Sequence, residues 1–441
     1  MTRAVVLGAG MAGLLAARVL ADFYGVVTVV ERDELTDGAA NRRGVPQGRH
    51  AHGLLGRGCL VLAELFAGFE ADLLDAGVPA FDYRDLSRAS FVLAGHRAPT
   101  EGTFTTVPPL YFPSRPLLES LVRRRVRGIT NVDFLTAHDV VDLTSTSGAD
   151  RIIGVRAAPH GGAGERVLEA DLVVDATGRA ARTPALLERL GYNRPAEDTV
   201  TVDVVYSSQL LKIPPQSLRE MVVASTPHTG RPTGMALFGY ENDTWMFTAF
   251  GMAGREPPTD ADERLAFVEA FTPPHVMCAL RNAEPLTEIS RYRYPENRWR
   301  RYDKMTRFPE GLLVIGDAVA NFNPIYGQGM TVAALQALAL RDSLSRGRKN
   351  LPRRYFRAAA KPIEVAWRFA TGADLSQPEV EGHRPLSVRV ANRCVERLLA
   401  ACEVDVTLAE QLIRVTGFID PPTRLLRPRI IHRVARARPR R

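Results

Sequence analysis

Residues 3–31 read RAVVLGAGMAGLLAARVLADFYGVVTVVE, and this stretch decides the fold. The apolar run 3–8 predicts a buried strand, residues 12–22 predict a helix, and the β-branched run 26–31 predicts a second strand. A strand, a helix and a second strand of this length form a right-handed βαβ unit, which requires a parallel sheet. The sequence therefore predicts an α/β fold that begins with this unit.

The glycines between the first strand and the helix have the spacing of a dinucleotide-binding turn. Gly8 makes the tight turn, Gly10 lets the backbone approach a pyrophosphate, and Gly13 allows close packing of helix on strand. The phosphates then bind at the positive N-terminal end of the helix. Glu31 can accept a hydrogen bond from an adenosine ribose hydroxyl, and its charge disfavours the 2′-phosphate of NADP. These residues predict dinucleotide binding without separating NAD from FAD.

A second glycine-bearing motif, far downstream, favours FAD. Residues 311–317 predict a strand that ends at a Gly-Asp pair, and residues 323–330, NPIYGQGM, predict a turn that enters a long helix over 329–344. The Asp317 carboxylate can accept hydrogen bonds from ribityl hydroxyls. The helix start near Gly329 offers N–H groups and a positive dipole, which suit the negative charge of a reduced flavin. An NAD enzyme has no need for such an element.

The rest of the chain alternates between helical and strand patterns. We expect a loop over 37–58 that opens a helix near 52–55, a helix over 115–128, a hairpin of 151–157 and 166–174, strands over 201–206, 234–240 and 244–251, and a helix over 260–271. The predicted domains are a Rossmann-type FAD-binding domain over 1–199 and 296–350, an antiparallel-sheet substrate domain over 200–295, and a helical C-terminal region with a basic tail over 351–441.

Charge and composition argue against several classes of protein. The tail of residues 424–441 holds eight arginines and no acid, which equals the whole net charge of +8, so no basic stripe indicates a nucleic-acid partner. We expect this tail to be solvated or loosely docked, or to contact an anionic membrane weakly through its arginines and Leu425, Leu426, Ile430 and Ile431.

No apolar run reaches the roughly 18–20 residues that span a bilayer, and no signal peptide is visible, so we expect a cytoplasmic location. The four cysteines form no zinc-type pair, and we expect no metal site.

Together the motifs resemble those of class A flavoprotein monooxygenases, the relatives of hydroxybenzoate hydroxylase. They stand in the order seen in that family, which is the first glycine turn, Asp175-Ala-Thr-Gly178 after a strand, and Gly316-Asp317 followed by Pro324 and Gly327-Gln-Gly329. The resemblance covers about residues 3–345. It implies an FAD-binding domain of the hydroxybenzoate hydroxylase type, with an inserted antiparallel-sheet substrate domain and a helical C-terminal region.

Two further stretches narrow the resemblance. RRGVPQGRHAHGLL at residues 42–55 and SRPLL at residues 114–118 look like the epoxidases of polyether ionophore pathways and, more loosely, like squalene epoxidase. One position departs from the hydroxylases, because Thr177 stands before Gly178 where they usually have Asp. That segment is associated with FAD and NADPH use, so the electron source is expected to be NAD(P)H or a separate flavin reductase.

The resemblance also implies the cofactor contacts. Glu31 would hold the adenosine ribose, Arg42 and Arg115 would lie near the pyrophosphate or ribityl chain, and the Val140 backbone would face the adenine. Asp317 would bind the ribityl or pyrophosphate region, with the Pro324 to Gly329 segment facing the isoalloxazine. The full predicted set is Gly8, Gly10, Ala12, Gly13, Glu31, Arg32, Arg42, Arg115, Val140, Asp317, Pro324, Gly327, Gln328 and Gly329.

The activity implied by the resemblance is transfer of one oxygen atom from O2, through a flavin C4a-hydroperoxide, to an apolar substrate such as a polyketide, polyene or terpenoid. Alkene epoxidation needs no base, whereas phenol hydroxylation is helped by one. No catalytic residue is assigned, and we expect His50, His52 and Tyr326 to be structural or to contact flavin or substrate. The substrate pocket is expected between the flavin and the sheet of residues 200–295. Aromatic residues with the spacing of an inward strand face alternate there, and we expect most of them to be core and the rest to wall the pocket: Phe238, Tyr240, Trp245, Phe247 and Phe250.

Three alternatives share the same flavin motifs. A reductase of isoprenoid double bonds needs them without oxygen chemistry, and a flavin-binding subunit needs them without turnover. A flavin-dependent halogenase would carry a WxWxIP signature, which the three tryptophans, Trp245, Trp299 and Trp367, do not form.

Overall fold

The computed structural model describes residues 1–162 and 164–437. Its strands are β1 (Arg3–Leu7), β2 (Val26–Val30), β3 (Ala80–Phe81), β4 (Ala89–Leu93), β5 (His96–Arg97), β6 (Leu110–Tyr111), β7 (Val132–Leu135), β8 (His138–Ser145), β9 (Ile152–Pro159), β10 (Arg166–Glu169), β11 (Leu172–Asp175), β12 (Glu197–Lys212), β13 (Val222–Ser225), β14 (Thr233–Gly239), β15 (Thr244–Gly251), β16 (Glu284–Pro285), β17 (Ser290–Arg300), β18 (Leu312–Val314) and β19 (Ala320–Asn321). Its helices are α1 (Met11–Leu20), α2 (Gly56–Leu65), α3 (Phe69–Asp75), α4 (Arg115–Arg127), α5 (Thr183–Arg189), α6 (Ala261–Glu269), α7 (Pro274–Arg281), α8 (Gly329–Leu344), α9 (Leu351–Asp374), α10 (Leu386–Cys402), α11 (Val406–Thr416) and α12 (Pro428–Arg436).

A five-stranded parallel sheet forms the centre of the part of the fold that begins with the βαβ segment of residues 3–31, called the first unit from here on. Its strand order is β18-β11-β1-β2-β7, and every neighbouring pair is parallel. The strands β11 and β18 are completely buried, which explains their continuous apolar sequences. Helix α1 packs against β11, and so does β9, a strand of the three-stranded antiparallel sheet β10-β9-β8. Helix α1 packs against α8, so the two helices that carry glycine motifs are neighbours. The predicted α/β fold is confirmed.

The turn between β1 and α1 has the geometry that its glycines require. Gly8 has a φ of +95°, which side chains rarely adopt. A Cβ on Gly13 would lie 1.9 Å from the carbonyl oxygen of Gly8, which is far inside van der Waals contact. Gly10 differs from both, because a Cβ there would have no atom within 4 Å. The helix can therefore approach the strand only because residue 13 has no side chain.

A second, nine-stranded sheet lies beside the parallel one. Its main path is β19-β17-β12-β15-β14-β13-β4-β5, with β16 paired to β12, and its central strands are antiparallel as expected. The structure adds edge strands from outside residues 200–295. Strand β4 pairs in parallel with β13, and β19 pairs with β17. The sheet is therefore mixed, and it is joined to the first unit at both edges.

Two local expectations differ from the structure. The segment 37–58 contains a short 3-10 turn at Pro46–Arg49, and its helix begins at Gly56. The helix starts late because residues 50–52 are held on the second sheet by hydrogen bonds to Ser208, Thr248 and Tyr240. Residues 166–174 do not form one strand. Strand β10 pairs with β9 as the predicted hairpin, and β11 then enters the parallel sheet as a separate strand.

The C-terminal region is helical, as the sequence indicates, and its basic tail is docked over the described part. Ile430 is buried and Leu425 packs beside it. Arg433 makes a bidentate ion pair with Asp405, at 2.8 Å from each oxygen. Leu426 and Ile431 stay exposed, and residues 438–441 of the tail lie outside the described residues. Weak membrane contact through the exposed pair stays a prediction. Within the described ranges no helix is both long and apolar enough to cross a bilayer.

We predict that Gly13→Ala destabilises the apoprotein by about 1–3 kcal/mol, the usual cost of overpacking, because its methyl group would collide with backbone. Thermal unfolding monitored by circular dichroism measures the change. Gly10→Ala is the matched control, since its methyl group enters open space. Equal melting temperatures for the two variants would contradict the packing described here.

Candidate functional site

Three glycine-bearing turns meet at the carboxyl edge of the parallel sheet. A Cβ on Gly316 would lie 2.5 Å from the Cβ of Ala12, so the downstream motif touches the first glycine turn. A Cβ on Gly13 would lie 3.3 Å from the Cβ of Ala176. Ala176 belongs to the segment Asp175-Ala-Thr-Gly178, called the middle motif from here on. The contacts arise because β18, β11 and β1 are adjacent strands. Ligands of open α/β sheets bind outside this edge.

Glu31 lies beside the first glycine turn. One of its carboxylate oxygens accepts a hydrogen bond of 2.7 Å from the N–H of Ala9, and the other accepts one of 3.0 Å from the N–H of Asp33. The same carboxylate is 3.1 Å from a guanidinium nitrogen of Arg42. Oε2 is shared between Ala9 and Arg42, whereas Oε1 keeps a second lone pair, so the group is oriented and can still accept from a ribose hydroxyl.

Arg42 and Arg115 are joined through Glu119, a residue that the sequence analysis did not select. Glu119 accepts a 2.6 Å hydrogen bond from Nε of Arg42 and a 3.3 Å hydrogen bond from Arg115. All three side chains are largely buried. Because Glu119 lies one turn after Arg115 on α4, the helix places its carboxylate within hydrogen-bonding reach of both arginines. This cluster lies between the first glycine turn and the downstream motif.

The other two predicted contacts at the adenosine end are less enclosed. Val140 lies on β8, whose first residue, His138, donates a backbone hydrogen bond of 3.1 Å to the carbonyl of Glu31. Val140 is therefore close in space to Glu31. Arg32 follows Glu31 directly, and its side chain is exposed. Its predicted contact with the cofactor stays a prediction.

The downstream motif contains the carboxylate of Asp317, directly after Gly316. Within residues 1–162 and 164–437 the Asp317 carboxylate takes part in no hydrogen bond or salt bridge, and the charges that act on it are those of Arg179 and Arg115. Burial raises its pKa, and the positive charges of Arg179 and Arg115 oppose that shift, which places both arginines near it. A Cβ on Gly329 would lie 4.0 Å from Oδ1 of Asp317, so the first residue of α8 faces the same carboxylate.

The segment that leads into α8 is open on one side. Residues 324–326 form a 3-10 turn, and Gly327 has a φ of +65° that reverses the chain. Pro324 and Gly329 are exposed, whereas Gln328 is buried. The N-terminus of the sixteen-residue helix α8 is therefore exposed beside Asp317. It borders the space outside the carboxyl edge of the parallel sheet, called the cleft from here on, where its dipole can act on a ligand.

The residues present fit FAD. Two buried polar atoms without a partner belong to the segments that flank this edge of the sheet, namely Nε of Arg115 and Oε1 of Gln328. Buried polar groups are normally paired, so these atoms indicate a polar ligand. The unpaired Asp317 carboxylate and the open space at Gly10 match a ribityl chain and a pyrophosphate respectively.

Arg179 also faces this cleft, although sequence reasoning did not select it. Its guanidinium lies 5.3 Å from the ring centroids of both Tyr292 and Tyr294, and it donates to the hydroxyl of Tyr292. Arg300 holds its backbone by donating to the Arg179 carbonyl at 3.1 Å. The sequence feature that could have identified Arg179 as a residue of the site is its position directly after Gly178 of the middle motif.

The middle motif is stabilised without an Asp before its glycine. Thr177 donates to Asp175 through both its N–H, at 2.9 Å, and its hydroxyl, at 2.6 Å. Thr183 also donates to Asp175. The carboxylate that organises this turn is therefore two residues earlier in the chain.

His50 and His52 extend from the first unit toward the second sheet. Nδ1 of His50 is 2.8 Å from the hydroxyl of Ser208, and its ring lies between Tyr206 and Tyr292, with centroids 5.9 and 5.4 Å away. Burial lowers the pKa of His50 to about 4, and the charge of Arg49 adds to the shift. Burial and the charge of Arg115 lower the pKa of His52 to about 3. Both rings are therefore neutral at pH 7.

The expected substrate wall is only partly on the cleft side of the second sheet. Trp245 and Phe247 pack with the helices α6 and α7 on the far face. Phe250 packs with Tyr206 on the near face, and Phe238 and Tyr240 are also there, near Ala51. The alternation of β15 sends neighbouring side chains to opposite faces, so the aromatic residues form two groups. Among the described residues no set of His, Cys, Asp or Glu side chains is arranged to hold a metal ion.

Known proteins share both the sequence and the fold of this chain. Protein Rv3254 of Mycobacterium tuberculosis is 40% identical over 431 residues, which cover 95% of this chain and 90% of that protein. The p-nitrophenol 4-monooxygenase PnpA from Pseudomonas putida DLL-E4 has a similar structure, with a TM-score of 0.65 and 15% identity over 94% of this chain and 97% of that one. A triple mutant of the flavin-dependent brominase Bmp2 gives a TM-score of 0.62 and 15% identity, with 93% and 97% covered.

The likeness to the two solved structures concerns the fold alone, because their sequences are so different. The match that concerns the cofactor is to a sequence family described as FAD binding domain, whose model covers residues 1–347. That range contains all three glycine-bearing turns and every predicted cofactor contact. The chain belongs to this FAD-binding domain family.

Proposed function

We propose that the protein is an FAD-dependent monooxygenase that transfers one oxygen atom to an apolar organic substrate, by alkene epoxidation or by hydroxylation. The observation that carries this proposal is the meeting of the three turns at one cleft, which the near face of the second sheet borders. Bound FAD, once reduced, supplies the activation of O2. The chain's own residues have to bind the flavin, exclude water and hold the substrate.

The contacts at the cleft support flavin binding along its whole length. Glu31 is oriented for the adenosine ribose, and Nε of Arg115 is a buried donor without a partner in the middle, near the carboxylate of Asp317. The N-terminus of α8 would stabilise negative charge on the pyrimidine side of a reduced flavin. The positive charge of Arg179 would act in the same sense.

The state of the two histidines supports epoxidation rather than hydroxylation of a phenol. With pKa values of about 4 and about 3, His50 and His52 are weak bases at neutral pH. A phenol benefits from a base that removes its proton, whereas an alkene does not require one. The near-face side chains Phe238, Tyr240 and Phe250 would suit a polyene, terpenoid or polyketide chain.

The electron source follows from the middle motif. Because Thr177 replaces the usual Asp and bonds within its own turn, we propose that reduced nicotinamide binds weakly here and that a separate flavin reductase is the alternative donor. Anaerobic bleaching of the flavin on mixing with NADH or NADPH measures the direct route. Rapid bleaching by either nicotinamide alone would exclude the need for a reductase.

The function itself is tested by the mass of the product. Incubation with a reductant, labelled O2 and candidate polyene or aromatic substrates should give a product that gains one labelled oxygen atom. A gain of two hydrogens would instead identify a reductase of double bonds. A substrate that gains a halogen when bromide or chloride is added would identify a halogenase.

We predict that Asp317→Ala weakens FAD binding about 10- to 100-fold, because hydrogen bonds to a charged group contribute about 1.5–3 kcal/mol. The purified variant should be colourless, and titration with FAD measures its Kd. Asp342→Ala is the matched control, since Asp342 lies on α8 with a mostly exposed side chain. Wild-type FAD content in the Asp317 variant would show that this carboxylate does not contact the cofactor.

A further inference from the structure

The turn at residues 323–326 is fastened to the rest of the protein by a buried polar network. Asn323 is fully buried, and its N–H donates to the side chain of Asn297 on β17. Its side-chain oxygen accepts from the N–H of Ile325 at 3.2 Å and from the hydroxyl of Tyr206 at 3.4 Å. The turn therefore depends on contacts that come from distant parts of the chain.

Asp374 is the centre of this network. It is fully buried and accepts hydrogen bonds from the side chains of Asn323 at 2.8 Å, Asn297 at 2.6 Å and Tyr326 at 2.8 Å. It is the last residue of α9, where the helix dipole disfavours a negative charge. A buried negative charge at the C-terminus of α9 destabilises that helix. The role of Asp374 is therefore to hold the turn at residues 323–326.

We propose that Asp374 is a positioning residue for the flavin, and that FAD binds tightly only while its carboxylate is ionised and holds the 323–326 turn. The inference rests on the proposed placement of the flavin against this turn, but not on any oxygen chemistry. Asp374 lies outside the matched family range of residues 1–347, so the C-terminal helix would complete a site formed by the FAD-binding domain.

The geometry explains why ionisation matters. All three side-chain partners donate to the ionised carboxylate of Asp374. Protonation adds a fourth donor, so either one of these hydrogen bonds is lost or the Tyr326 hydroxyl has to turn and accept. Burial raises the pKa of Asp374 to about 6, and the hydrogen bonds from Asn323, Asn297 and Tyr326 limit the rise. The network should therefore loosen as the pH falls through about 6.

The other titratable groups that face Asp374 come from each element packed around it. They are Tyr326 of the turn, Tyr206 of β12 and Tyr294 of β17, and burial raises the pKa of all three well above the usual range. They stay neutral between pH 5 and 8. Asp317, on the cofactor side, also has a raised pKa, so a variant of Asp374 is needed to separate the two carboxylates.

The direction of the pH effect separates positioning from a purely structural role. The folded pKa of Asp374 lies above the unfolded value, so its contribution to folding stability is present at low pH and is lost as the pH rises through about 6. FAD affinity should change in the opposite sense and fall on acidification. If Asp374 only stabilised the fold, FAD affinity would not fall over the same pH range in which folding stability rises.

The test measures the Kd of FAD for the full-length apoprotein between pH 5 and 8, by quenching of flavin fluorescence. Wild-type affinity should fall about tenfold from pH 7.5 to pH 5 with a midpoint near 6, which corresponds to about 1.4 kcal/mol. Asp374→Asn should bind about tenfold more weakly at pH 7.5, without that step. Asp342→Asn, at an exposed position on α8, should reproduce the wild-type profile.

Tyr326→Phe provides a second measurement if the Asp374 variant does not fold. Loss of one donor destabilises the carboxylate, so the midpoint of the step should move to higher pH. An unshifted midpoint in Tyr326→Phe, or a wild-type step in Asp374→Asn, would overturn the proposal. Since only FAD binding is measured, a failure to find oxygen transfer would leave this result unaffected.

Discussion

The close packing of α1 against the turn before it is the constraint on which the site depends. At Gly13 there is room for a hydrogen atom and for nothing larger, because the Gly8 carbonyl occupies the place of a side chain. This contact fixes the N-terminus of α1 at the edge of the parallel sheet. The same edge carries the middle motif on β11 and the downstream motif on β18. Three short segments from distant parts of the sequence thus become one surface.

Much of this could be predicted from the sequence because the signals are local. The glycine spacing and the apolar periodicity identify the βαβ unit, and the predicted helix over 329–344 coincides with α8. The contacts of Glu119 and Asp374 could not be found in this way. Glu119 meets Arg42 across 77 residues and Asp374 meets Asn323 across 51, and no pattern within either segment indicates its partner.

The second sheet shows a different reason for incomplete prediction. A period of two correctly separates the side chains of β15 into two sets, but it does not tell which set is covered by helices and which faces the first unit. The helices α6 and α7 decide this by covering Trp245 and Phe247. That packing follows from residues 261–281, whose position relative to the sheet is a matter of tertiary structure.

The pairing of β19 with β17 has a consequence for how such enzymes could be recombined. Residues 320–321 belong to the second sheet, and the turn at residues 323–326 begins two residues later. The opposite edge of the sheet is made by β4 and β5, far earlier in the chain. A chimera that exchanged only residues 200–295 with a relative would cut through hydrogen-bonded strand pairs at both borders. A segment that can be exchanged as a unit has to include the strands at both edges of the sheet. Such a segment then also carries the turn at residues 323–326.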